Sequence, residues 1–156
     1  MQLSIQLNGN PINFEFEWEP LLCNSKRCFI WDYVSESKPE ADCPVVYRHV
    51  LDTASLGVVT VYVGEGASLN GPQQHHLCYQ YRGPHGATRL KVRDFIRTRP
   101  ENGWTEILRL KTPLLDLSEN RTRRFLQTAF IAAHYWDRQR LAEDHRDVPI
   151  FLNAPC

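Results

Sequence analysis

Long apolar runs are missing from this sequence. No uninterrupted stretch approaches the roughly 18 residues a membrane-spanning helix needs, and the opening Met1-Gln2-Leu3-Ser4 carries no basic patch followed by an apolar core. Both absences lead to the expectation of a cytoplasmic protein without membrane contacts. Repeats and low-complexity tracts are missing too. Cysteine is sparse, and its five copies, an odd number at irregular positions, fit reduced thiols better than a disulfide framework. Cys23 and Cys28 flank Asn24-Ser25-Lys26-Arg27, and together with Cys43 and His49 they match no strong zinc-ligand spacing. Net charge is absent as well, since 18 basic residues balance 18 acidic ones. Evenly spread, that balance would argue against a nucleic-acid partner.

The charges are segregated instead. Before Cys43 the chain is acidic, with Glu15, Glu17, Glu19, Glu36, Glu40 and Asp42, whereas Arg82, Arg89, Lys91, Arg93, Arg97 and Arg99 crowd one later segment. That segment reads either as a solvated helix face neutralising the acidic part or as a track for a phosphate backbone. A chain of 156 residues that is 42% hydrophobic buries one sizeable core, so one domain is expected over residues 1–156.

Leu3, Ile5 and Leu7 alternate with polar residues, Asn8-Gly9-Asn10-Pro11 turns the chain, and Ile12, Phe14, Phe16 and Trp18 alternate again. This predicts a β-hairpin ended by Pro20. Phe29 to Val34 is apolar enough to pack on a core before the polar loop Ser35-Glu36-Ser37-Lys38-Pro39. Val45–Val50 and Gly57–Val63 are rich in β-branched and aromatic residues and form a natural antiparallel pair across Asp52-Thr53-Ala54-Ser55. Leu90, Val92, Phe95 and Ile96 place one apolar face on a short helix closed by Pro100, and Trp104–Leu110 alternates like a further strand. Ser118 is the expected N-cap of a long helix running to about Leu141, with Phe125, Leu126, Ala129, Phe130, Ala133 and Tyr135 to Trp136 as its buried stripe.

Two tyrosines on neighbouring strands, a glycine just after the second, and a basic helix downstream resemble the GIY-YIG nuclease family. Tyr47 fills the first tyrosine position, although Val45 stands where that family usually has Gly, and Tyr62-Val63-Gly64 fills the second motif closely. A strand that lets a phosphate backbone approach closely benefits from Gly64, whose alternative role is that of a turn glycine. Gly83 to Arg93 resembles the family's loop and basic helix, and Pro149-Ile150-Phe151-Leu152-Asn153 resembles its closing Leu-Asn. The resemblance implies an α/β fold, a small three-stranded central sheet flanked by helices at residues 44–156, with residues 1–43 as an N-terminal hairpin elaboration.

It also implies a DNA endonuclease of restriction type that hydrolyses phosphodiesters with Mg²⁺ or Mn²⁺. Tyr47 would help deprotonate water, Tyr62 would bond near the phosphate, and Asn153 would hydrogen-bond within the site. Arg89 is the first choice for stabilising charge, because its planar fork holds phosphate oxygens and stays charged. Lys91 and Arg93 are the reserves, and Arg93 lies one helical turn from Arg89 on the same face. His75, His76 and His85 are alternative polar groups, while Gly64, Arg82, Lys91, Arg97 and Arg99 would line the DNA. The departure is Gln127, which stands where the family carries its metal-binding Glu. A neutral amide can still coordinate Mg²⁺ but lacks the charge that hard cations prefer. Glu119, eight residues earlier, lies about two turns away and is no replacement. The expected partner is double-stranded DNA, engaged by a metal-dependent endonuclease impaired by Gln127 and working as a homodimer, or by a catalytically inactive DNA-binding module of the same fold.

Overall fold

Two-residue periodicity builds most of this molecule. The computed structural model describes residues 2–7, 10–30, 43–69, 86–98, 100–111, 115–144 and 151–153. Along the chain run β1 (Gln2–Leu7), β2 (Asn10–Pro20), β3 (Leu22–Cys23), β4 (Lys26–Arg27), β5 (Val45–Thr53), β6 (Gly57–Gly66), α1 (Gly86–Arg97), β7 (Gly103–Leu110) and α2 (Asn120–Asp144). β1, β2, β7, β5 and β6 form a sheet in that order, every pairing antiparallel, and β3 and β4 form a separate two-stranded hairpin.

This corrects the expected three-stranded sheet flanked by helices. β2 is long enough to serve two neighbours: its residues 10–15 pair with β1, and Phe16 to Pro20 pair with Leu110 to Glu106 of β7. The N-terminal hairpin is therefore two strands of the main sheet rather than an elaboration on it. The reason is the apolar alternation of buried Phe14 and Phe16 and partly buried Trp18, which continues past the hairpin and needs a core to face.

The pleat sends alternate side chains to opposite faces. On one face, Phe14, Phe16, Val46, Val63 and Leu108 meet Leu126, Phe130 and Ile131 of α2. Phe130 packs edge-on against both Phe16 and Trp18, with centroids 5.1 Å away in each case. Each such large side chain contributes about 1.5–3 kcal/mol by leaving water. On the other face, Val45, Tyr47 and Ile107 cluster together, and Val92 and Ile96 of α1 bury against Phe29.

Two further readings change. Cys23 and Cys28 are joined in a disulfide across the β3–β4 hairpin, instead of standing as reduced thiols. Asn24 and Ser25 both take positive φ there, the geometry of a tight two-residue turn that brings the two sulfurs together. Ser118 does not cap α2, because its hydroxyl and amide both donate to Asp116, at 2.5 and 2.8 Å. The carbonyl of Glu119 accepts the first helical bond, from the Arg123 amide. Among the described residues, no helix is long and apolar enough to cross a membrane.

Candidate functional site

β5 is flanked by β6 and β7, and this places Tyr47 directly opposite Gly64 and Ile107. Tyr47 is 2% exposed, and its ring lies over the Gly64 backbone. A Cβ on Gly64 would come within 2.7 Å of Tyr47 Cε1 and closer still to Cζ and Oη. The absent side chain therefore makes room for the tyrosine ring. Tyr62, half-buried on β6, has its ring 6.0 Å from that of Tyr47, so the two predicted tyrosines do come together.

The predicted residues from the far end of the chain converge on the residue between Tyr62 and Gly64. Asn153 accepts the Val63 amide N–H at 2.8 Å and donates to the Val63 carbonyl at 2.9 Å. Gln127 Nε2 donates to the same carbonyl at 3.3 Å. β6 is one of the two outer strands of the sheet, so its unpaired backbone groups need partners from elsewhere. Asn153 supplies two, and the Leu152 amide, donating to the Val61 carbonyl at 2.9 Å, supplies a third. Phe151, buried in the α2-side core, anchors this short strap.

The basic residues of α1 sit at the other side of the site. Lys91 and Arg97 are exposed, whereas Arg93 is largely covered and holds Asp94 with bonds of 2.8 and 3.0 Å. The backbone of Arg89 lies within α1, three and four residues before the buried Val92 and the bound Arg93. Arg82, Arg99, His75, His76 and His85 lie outside the described residues. The first turn of α1 carries no acidic residue.

Several buried polar groups escaped the sequence reading. Arg48 and Glu106 face each other across β5 and β7, with Nη2–Oε2 and Nε–Oε2 separations of 2.6 and 2.7 Å. The Trp104 indole N–H donates to the other Glu106 oxygen at 3.0 Å, and the Arg48 guanidinium lies 4.7 Å from the Trp18 ring centre. Burial pushes the Arg48 guanidinium below its ordinary range, and the Glu106 carboxylate opposes that shift. Arg123, 5% exposed, binds Glu65 at 3.0 Å and donates to the Leu117 and Ser118 carbonyls, both at 2.8 Å. Only the period-two spacing of Tyr47 and His49 hinted that a histidine would share the tyrosines' face.

No family model, curated protein or solved structure matches this chain. The reading of the site therefore stands on its own geometry.

A divalent ion, which the family resemblance implies, does not suit these residues. The Gln127 amide turns a donor, rather than a charged oxygen, toward Val63, and both ends of the Asn153 amide are taken by the backbone. Glu65 is engaged by Arg123. Among the described residues no three His, Cys, Asp or Glu side chains gather into a group that could hold a metal ion. Cys23, Cys28, Cys43 and His49 form no zinc site either, because two are disulfide-bonded and His49 is bonded to Thr105.

Proposed function

We propose that this chain binds double-stranded DNA through a nuclease-type site that does not hydrolyse it. The observation that carries this reading is the state of Gln127: the residue at the metal position is an amide already donating to the Val63 carbonyl. Half-buried Tyr62 and the exposed Lys91 and Arg97 of α1 are left as a surface suited to holding a phosphate backbone. Fluorescence anisotropy with a labelled duplex tests the proposal. Binding that weakens steeply as KCl rises is expected, with no cleavage in Mg²⁺ or Mn²⁺. Absence of binding at low salt would sink it.

The second reading is a metal-dependent endonuclease of restriction type, working as a homodimer to cut both strands. It is favoured by the chain order of Tyr47, Tyr62-Val63-Gly64, a basic helix, a third strand, a long helix and Asn153. Mg²⁺-dependent cleavage by the chain as it stands would establish that reading over the first. Cleavage gained only in Gln127→Glu would show a hydrolytic site silenced by one amide.

A further inference from the structure

His49 is fully buried and polar, and no role assigned above uses it. It follows Tyr47 by two residues on β5, so both rings leave the same face of the sheet. Its partner in register is Tyr62, at the point where the β5–β6 ladder slips: Tyr62 opposes His49, Thr60 opposes Val50, and Val61 is the extra residue of a bulge. The imidazole stacks on the Tyr62 ring, with centroids 5.6 Å and planes 24° apart. Tyr47 lies 5.3 Å away, and Phe29 closes the far side edge-on at 5.8 Å.

The ring's orientation has a definite source. His49 Nδ1 lies 2.9 Å from Thr105 Oγ1, and that same oxygen accepts the Ile30 amide N–H at 2.9 Å. Nδ1 and the Thr105 hydroxyl share one hydrogen bond, which ties the ring at that nitrogen in either neutral tautomer. Space-filling alone would be served by an apolar side chain at lower desolvation cost. A hydrogen-bonded ring is held in one plane.

We propose that His49 is a positioning residue for Tyr62. The Ile30 amide fixes the Thr105 hydroxyl, the hydroxyl fixes the imidazole plane, and the imidazole holds the Tyr62 phenol in one orientation for its contact with DNA. This inference rests on the DNA-binding reading above and adds to it the group that orders the half-buried tyrosine.

The test uses the full chain with ¹³C-labelled tyrosine rings, following Tyr62 ring flips by NMR alongside duplex affinity. Thr105→Val removes the hydroxyl at equal volume, His49→Phe keeps a ring on Tyr62 but cannot bond Thr105, and Thr105→Ser keeps the hydroxyl. Ring flips about tenfold faster, with affinity about tenfold weaker, are expected in the first two variants, the loss of one hydrogen bond's worth of restraint, and wild-type values in Thr105→Ser. Should Thr105→Val fail to fold, His49→Phe against Thr105→Ser carries the comparison. A merely structural role would lower stability and leave the Tyr62 flip rate of folded variants unchanged, and that outcome overturns the proposal. Faster flips without any loss of affinity also overturn it, since the phenol would then not need ordering to meet DNA. If the wild-type chain binds no duplex, the DNA reading falls while the flip rates still decide whether His49 orders Tyr62.

Discussion

A methyl group on Gly64 would enter the Tyr47 ring, and that ring, packed on Val45 and Ile107 and 2% exposed, has little room to retreat. Gly64→Ala is therefore expected to cost about 1–3 kcal/mol in urea unfolding, as overpacking does. Much of that cost should vanish in a Tyr47→Leu background, because the two positions are coupled. Asp116 offers a contrasting, electrostatic case. The Ser118 hydroxyl and amide hold its carboxyl below the ordinary range. A depressed folded pKa means the contribution is present above the unfolded value, about 3.9, and is lost as pH falls through the lower folded one. The Ser118 amide resonance should accordingly titrate below about pH 4, and Asp116→Asn should abolish that titration.

At the scale of strands and helices, β6 depends on partners from outside the sheet. Asn153→Ala removes both of its side chain's bonds to Val63 and should cost about 1–3 kcal/mol, with faster hydrogen exchange at the Val63 amide than anywhere else on β6. The β5–β7 pairing carries a buried ion pair, so Glu106→Ala leaves Arg48 charged and uncompensated. A loss of about 3–5 kcal/mol in unfolding free energy is expected. Much of this architecture was legible beforehand. Alternation located β1, β2, β5, β6 and β7, and the apolar stripe located α2, because periodicity is a local property. Which strand β2 pairs with was not, since a period of two is silent about neighbours. Neither was the Cys23–Cys28 bond, which arises only once Asn24-Ser25 folds the chain back. Gln127 could be flagged from its position, but its hydrogen bond to Val63 and the Thr105–His49 contact join segments far apart in sequence.

For the whole molecule, zero net charge coexists with a local surplus on α1, so affinity for DNA should come from a few phosphate contacts. Lys91→Ala and Arg97→Ala are each expected to lower the slope of log affinity against log salt by about one, with little change between duplex sequences. Anisotropy titrations over a KCl series would read that slope directly. The five-stranded sheet has two outer strands, and the strap from Phe151 to Asn153 lies along one of them. The strap is thus also a guard against self-association. Cutting the chain ahead of Phe151 would bare the valine-rich margin of β6 as a template on which another copy could add its own strand, and such a truncated protein should form aggregates where the full chain stays dispersed.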